Sequence, residues 1–174
     1  ARYWSVKVGD RVSENAVWSY PEPVDECSNI ADYVAFYWDR VDAWYEEEEQ
    51  VLGHLRDPSH RIDCLHSARH VEVLVNGVKV ADTVRPVLLF ETGMGTRYYI
   101  PAIDVDMSAL EPTETSTMCP YKGPARYWTI TAGGKSFEDY AWQVSAPLPE
   151  AFKIADHLCF YDDRDEVQVI VDGH

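Results

Sequence analysis

Residues 1–40, ARYWSVKVGDRVSENAVWSYPEPVDECSNIADYVAFYWDR, lie without a gap over residues 125–164, ARYWTITAGGKSFEDYAWQVSAPLPEAFKIADHLCFYDDR, at a constant offset of 124. About sixteen of forty positions are identical, among them Ala1-Arg2-Tyr3-Trp4 with Ala125-Arg126-Tyr127-Trp128, Trp18 with Trp142, Ile30-Ala31-Asp32 with Ile154-Ala155-Asp156 and Phe36-Tyr37 with Phe160-Tyr161. Matches of rare Trp and Tyr at one fixed offset mark an internal duplication. The second copy is preceded by an upstream half from about His70 to Pro124, whereas the first starts at Ala1. The expected organisation is therefore the C-terminal half of a first β domain over 1–46, a joining segment over 47–69 and a complete second β domain over 70–174. Strands in the half copy need partners for their backbone polar groups. Those partners would come from the complete domain, or from another molecule through homodimerisation or domain exchange.

Working outward from the duplication, the dominant period is two, the mark of half-buried strands. Strands are expected at Tyr3 to Val8, Glu14 to Tyr20, Tyr33 to Tyr37, Val41 to Tyr45, Val71 to Val75, Val78 to Thr83, Val87 to Glu91 and Arg97 to Ile100. The second copy adds Arg126 to Ala132, Ser136 to Trp142, His157 to Tyr161 and Glu166 to Val171. Asn76-Gly77 signals a tight hairpin because both residues accept positive φ, and Gly133-Gly134 marks another turn. Only Val24 to Ala31 and Pro147 to Ala155 read as helical, each one or two turns long and each following a proline. Glu46 to Glu49 reads as a solvated strand end or linker.

Composition bounds the function. With 174 residues, 46% of them hydrophobic, six Trp and eleven Tyr, the chain can build a core. Thirty acidic against 15 basic residues give a formal charge of −15, which repels nucleic-acid phosphates and anionic membranes. Neither a membrane-spanning run nor a basic-then-apolar leader is visible, so a cytoplasmic location without nucleic-acid or membrane partners is the expectation. Cys27, Cys64, Cys119 and Cys159 lack paired zinc-knuckle spacing and permit three disulfide patterns. Reduced thiols are expected, with Cys27 and Cys159 buried as small hydrophobes.

Phe90-Glu91-Thr92, Arg97-Tyr98-Tyr99-Ile100-Pro101, Cys119-Pro120-Tyr121-Lys122-Gly123, Ala125-Arg126-Tyr127-Trp128 and Ala141-Trp142, in that order, resemble the bacterial domain of unknown function 427. The resemblance spans roughly His70 to Asp172 as one unit and residues 1–46 as the back half of another. It implies a mainly β fold of small coiled β-sheets, of the Mss4-like β complex type, with one or two short helices. It implies little about activity. A nucleotidyltransferase label attached to the family finds neither a Gly-Ser helix start nor a phosphate-cradling glycine loop here. Thr96 stands where the family commonly has proline, and Val144 stands where the first copy keeps Tyr20.

Three sets of residues can carry chemistry. A cation near Cys119 on the bend, Lys122 or Arg126, would activate its thiolate, and Glu91 could pair Lys122 or act as a general base. The same bend also reads as a structural corner with Tyr121 in the core. Aromatic walls from Trp18, Tyr20, Tyr98, Tyr99, Tyr121, Tyr127, Trp128 and Trp142, rimmed by Arg97, Arg126 and Lys122, suit a small anionic or aromatic metabolite. Because strand neighbours face opposite ways, only one of each adjacent pair can line such a cleft. His54, His60, His66 and His70 with Asp57 and Asp63 read as a charge network between the units, with Arg61 and Asp63 available to pair across it, rather than as a metal site. Asp104-Val105-Asp106 could supply two metal-binding carboxylates from one strand face, although such a triplet is common in acidic chains. No metal or cofactor is expected. Three function classes stay open: a small-molecule binder, an enzyme of unknown reaction with Cys119 as nucleophile, and a structural assembly module.

Overall fold

The computed structural model describes residues 1–46 and 49–174. The expected acidic linker at Glu46 to Glu49 includes Glu47 and Glu48, which lie outside the described residues. The chain forms two compact units, Ala1–His54 and Leu55–His174. Among the described residues no helix is long and apolar enough to cross a membrane.

Unit 1 holds β1 (Arg2–Val8), β2 (Arg11–Ser19) and β3 (Ala35–Phe36) in one antiparallel sheet, followed by a hairpin of β4 (Trp44–Glu46) and β5 (Glu49–Val51). Among the described residues of unit 1, Ala16, Val17 and Ser19, all on β2, are buried. Trp38 and Trp44 stack at 4.8 Å, and Trp44 Nε1 donates to the Trp38 carbonyl at 3.0 Å.

Unit 2 runs through β6 (Ile62–His66), β7 (Val71–Val75), β8 (Val78–Thr83), β9 (Val87–Glu91), β10 (Arg97–Pro101), β11 (Leu110–Cys119), β12 (Gly123–Ala132), β13 (Lys135–Val144), β14 (His157–Phe160) and β15 (Val167–Val171). A seven-stranded antiparallel sheet has the order β11-β12-β13-β14-β10-β9-β6, and a second sheet has the order β15-β7-β8. Alternation explains the sheets: the inward positions Val71, Val73 and Val75 of β7 meet Ile100, Ile130, Leu158 and Phe160 in one buried cluster. A second cluster joins Cys64, Val87, Leu89 and Tyr99 to Val144, Ile154 and Cys159. The protein is thus mainly β. The two expected helices are short 3-10 helices, Asp25–Ile30 and Pro149–Ile154.

The duplication holds to the level of register. Trp4 pairs with Val17 and Val6 with Ser13 across one bulge; at the same offset Trp128 pairs with Ala141 and Ile130 with Phe137 across another. Asn15 and Asp139 occupy the same left-handed conformation, at φ 51° and 57°.

Three of the described strands escape the periodicity: β5, which lies in the expected joining segment, β11 and β6. β11, Leu-Glu-Pro-Thr-Glu-Thr-Ser-Thr-Met-Cys, is exposed over most of its length and so shows no apolar alternation. It is held as an edge strand by β12, and Thr113 and Thr115 each donate to the Asp139 carboxylate at 2.6 Å. Pro112 is tolerated beside a register shift on that edge. β6 pairs with β9 along its whole length, although its sequence alternates too weakly to be read as a strand. Asp104 and Asp106 lie around 3-10 turns rather than on one strand face: Asp104 accepts from Arg85 and Thr83, and Asp106 accepts from the Ser108 amide. Cys27 is exposed, contrary to expectation, because the helix carrying it buries no residue; Cys64 and Cys159 are buried.

Gly123 closes the β11–β12 hairpin at φ +104°, and a Cβ there would lie 2.4 Å from the Ala146 carbonyl oxygen. Gly123→Ala is expected to cost about 2 kcal/mol or more, through conformational strain plus overpacking. Gly95→Ala, which meets nothing within 4 Å, should leave the denaturant midpoint nearly unchanged. Equal midpoint shifts for the two variants would refute this reading of the corner.

Candidate functional site

Period-two alternation on five strands aims one set of side chains at a single cavity of about 200 Å³ in unit 2. β9 contributes Leu89 and Glu91, β10 Arg97 and Tyr99, β11 Thr117 and Cys119, β12 Gly123, Ala125 and Tyr127, and β13 Trp142 and Val144. Lys122 enters from the turn after Cys119, Tyr161 from the chain after β14 and Met94 from the loop before β10.

The polar wall centres on Glu91, whose side chain is only 7% exposed. One carboxylate oxygen accepts from Lys122 Nζ at 2.5 Å, and the other lies 2.9 Å from His60 Nε2. Burial pushes Glu91 up, but the Lys122 and His60 hydrogen bonds together outweigh it and hold the carboxyl below its ordinary value. His60 stacks on Tyr121 at 4.1 Å, and the Tyr121 hydroxyl accepts from the Asp57 amide at 2.6 Å. The turn that carries Lys122 is thereby fastened from both sides.

The aromatic wall is equally tied. Trp142 Nε1 donates to the Tyr99 hydroxyl at 3.2 Å, and Trp142 lies 4.5 Å from the Tyr161 ring. Arg97 ion-pairs with Asp162 and places its guanidinium 5.6 Å from the Trp142 ring centre. Tyr127 and Thr117 share a hydroxyl hydrogen bond at 3.0 Å. Burial raises Tyr99 well above the usual phenol range, and burial together with the Tyr127 hydroxyl raises Tyr161, so both stay protonated donors at neutral pH.

Among the residues singled out from sequence, Glu91, Arg97, Tyr99, Cys119, Lys122, Tyr127 and Trp142 line this cavity. The pleat turns others away. Tyr98 borders a shallow concavity with Leu88 and Phe90. Arg126 donates twice to the Gln143 side chain and lies over the Trp128 ring, and Trp128 packs against the main core cluster. Tyr121 is buried behind the wall and acts as its support. Trp18 and Tyr20 line a separate groove in unit 1.

Sequence reasoning missed His60, Thr117 and Tyr161 as site residues. Tyr161 carried a signal, since Tyr37 occupies the same place in the first copy. Arg61 and Asp63 pair with each other at 2.9 Å within unit 2. His70, Glu72 and Asp82 bring ligand atoms within 4.8 Å of one another, but the Lys79 ammonium already contacts both carboxylates, at 3.1 and 2.5 Å.

The family model described as domain of unknown function 427 matches residues 1–47 and 63–173. No curated protein matches the chain.

A depressed Glu91 contributes stability above the unfolded-state value of 4.5, and that contribution is lost as pH falls through the lower folded-state value. Glu91→Gln is expected to cost about 3 kcal/mol at neutral pH, the low end for breaking a buried pair. The gap from wild type should narrow as pH falls below 4.5. Urea denaturation across pH checks this, and a gap independent of pH would contradict it.

Proposed function

The chain belongs to the domain of unknown function 427 family, and we propose from its geometry that unit 2 is a binding module for a small planar metabolite, aromatic or anionic. The observation carrying this reading is the convergence of Tyr99, Tyr127, Trp142 and Tyr161 with Arg97 and Lys122 on one cavity. At about 200 Å³ it is smaller than the roughly 300 Å³ lower bound for drug-sized ligands, which points to a ligand of one ring. Trp142 and Tyr161 offer π faces for stacking. Lys122 and Arg97 are already balanced by Glu91 and Asp162, so an anionic group binds by sharing those cations rather than by neutralising free charge. The protonated phenols of Tyr99 and Tyr161 add neutral donors for a carbonyl or carboxylate edge.

Screening one-ring aromatic acids and heterocycles by thermal denaturation tests the proposal. A ligand present at a hundredfold its Kd raises stability by about 2.7 kcal/mol. Trp142→Ala and Lys122→Met are expected to abolish the shift, whereas Arg126→Ala, on the opposite face, should keep it. A shift that survives loss of Trp142 and Lys122 would place the ligand elsewhere, and a screen with no shift at saturating concentrations would remove the binding reading.

A second reading rests on Cys119 bordering the same cavity as Glu91 and Lys122. In it Cys119 is a nucleophile, with Lys122 favouring the thiolate and Glu91 handling protons. Alkylation rates against pH, resolved by peptide mass spectrometry, discriminate the two. Burial raises the thiols of Cys64 and Cys159, so these two provide slow internal references. The enzyme reading requires Cys119 to react faster than exposed Cys27 with a midpoint below the ordinary thiol value of about 8.5. Reaction no faster than Cys27 ends it.

A further inference from the structure

The two copies share backbone and register but differ in what covers them. Three residues that are core in unit 2 stay apolar at the equivalent places in unit 1 and lie open. Ile30 is 38% exposed where Ile154 is 0%, Val34 is 55% where Leu158 is 1%, and Phe36 is 45% where Phe160 is 3%. In unit 2 Ile154 packs with Val87, Leu89 and Tyr99, whereas Leu158 and Phe160 pack with Val71, Val73 and Val75, so the open residues of unit 1 lie where two sets of upstream side chains are seated, and exposed apolar surface of this kind marks an interaction surface. In unit 2 the outer edges of β12 and β14 hydrogen-bond to β11 and β10. Among the described residues, the unit 1 sheet ends at β1 and β3 with no strand on either side. Uncovered strand edges are templates for added strands.

The face also has a shape. Trp18, Tyr20, Ile30 and Ala35 help line a groove of about 170 Å³ in unit 1. At the fixed offset their counterparts are Trp142, Val144, Ile154 and Cys159, which pack with Val87, Leu89 and Tyr99 of β9 and β10. The groove therefore lies where, in the second copy, the side chains of an upstream half are seated.

We propose that this face of unit 1 is the docking surface for a further segment patterned like residues 62–122, one that lays a strand on each open edge and seats a Val, Leu and Tyr set in the groove. The chain's own residues 62–122 are already engaged in unit 2. A second unit 1 does not fit the role, since groove against groove leaves both unfilled. Main-chain pairing gives the affinity, and the groove sets the register. The inference stands on the duplication and is independent of whether the unit 2 cavity binds a ligand.

The test places a second copy of residues 62–124 directly ahead of Ala1 in the full chain, reproducing the junction found at Pro124-Ala125. Hydrogen exchange of β1 and β3 peptides is then compared with the unaltered chain. The expected result is exchange at least about tenfold slower in both strands, with a fall in binding of an apolar fluorescent dye. A Val34→Glu, Phe36→Glu pair should reverse both effects while leaving exchange in unit 2 unchanged. Unaltered exchange in β1 and β3 would overturn the proposal. So would concentration-dependent protection of β1 in the unaltered chain with nothing added by the extra segment, a result that assigns the face to a second copy of unit 1.

Discussion

The Glu91 carboxylate, almost wholly buried and gripped by Lys122 on one oxygen and His60 on the other, is the contact on which the unit 2 site depends. An unpaired charge at that depth would be expelled or neutralised, so the carboxylate is retained only because two donors reach it. Its donors come from distant places in the chain, the segment before β6 and the turn between β11 and β12. Glu91 itself ends β9. One buried group thus ties the β11–β12 turn to the paired backbone of β9 and the segment that leads into β6. The strict geometry of the Gly123 corner then fixes where Lys122 can stand.

Burial asymmetry gives the cavity its character. Its polar end holds charges that cancel within the wall, Lys122 against Glu91 and Arg97 against Asp162. Its other end is aromatic, and burial keeps the phenols of Tyr99 and Tyr161 protonated. In the proposed binding role, such a wall would offer faces and neutral donors, with cations available only to a ligand that can share them. Most of the lining sits on strands, with Lys122, Tyr161 and Met94 supplied by the connections between them.

Much of the architecture was legible because it is written in period two. β7, β8 and β9 match their expected bounds, and Asn76-Gly77 turns with both residues at positive φ. The 124-residue offset carried over into register and bulge. What stayed hidden was whatever the strand period does not encode. β11 is a polar edge strand, stabilised by its neighbour and by hydroxyl bonds to Asp139 rather than by an apolar face. His60 reaches Glu91 through tertiary folding with no local signal. Arg97, Tyr99 and Tyr127, which line the cavity, stand out in the sequence by aromatic and basic content. Contiguous runs such as Arg126-Tyr127-Trp128 nevertheless divide between two faces, and only the pleat decides which residue enters the cavity.

The duplication also separates what is repeated from what is not. Tyr3, Trp18 and Tyr37 repeat the aromatic wall of Tyr127, Trp142 and Tyr161, while the Glu91, Arg97 and Lys122 wall belongs to the upstream half and occurs once. The clamp is therefore the distinctive chemistry of unit 2. It is most directly tested by titrating the Glu91 side-chain carboxyl carbon by NMR, in the native chain and in Lys122→Met. The account predicts a native midpoint below 4.5 that rises once Lys122 is gone and burial is left with His60 as its only opponent. A native midpoint at or above the ordinary value, or one indifferent to Lys122, would contradict it.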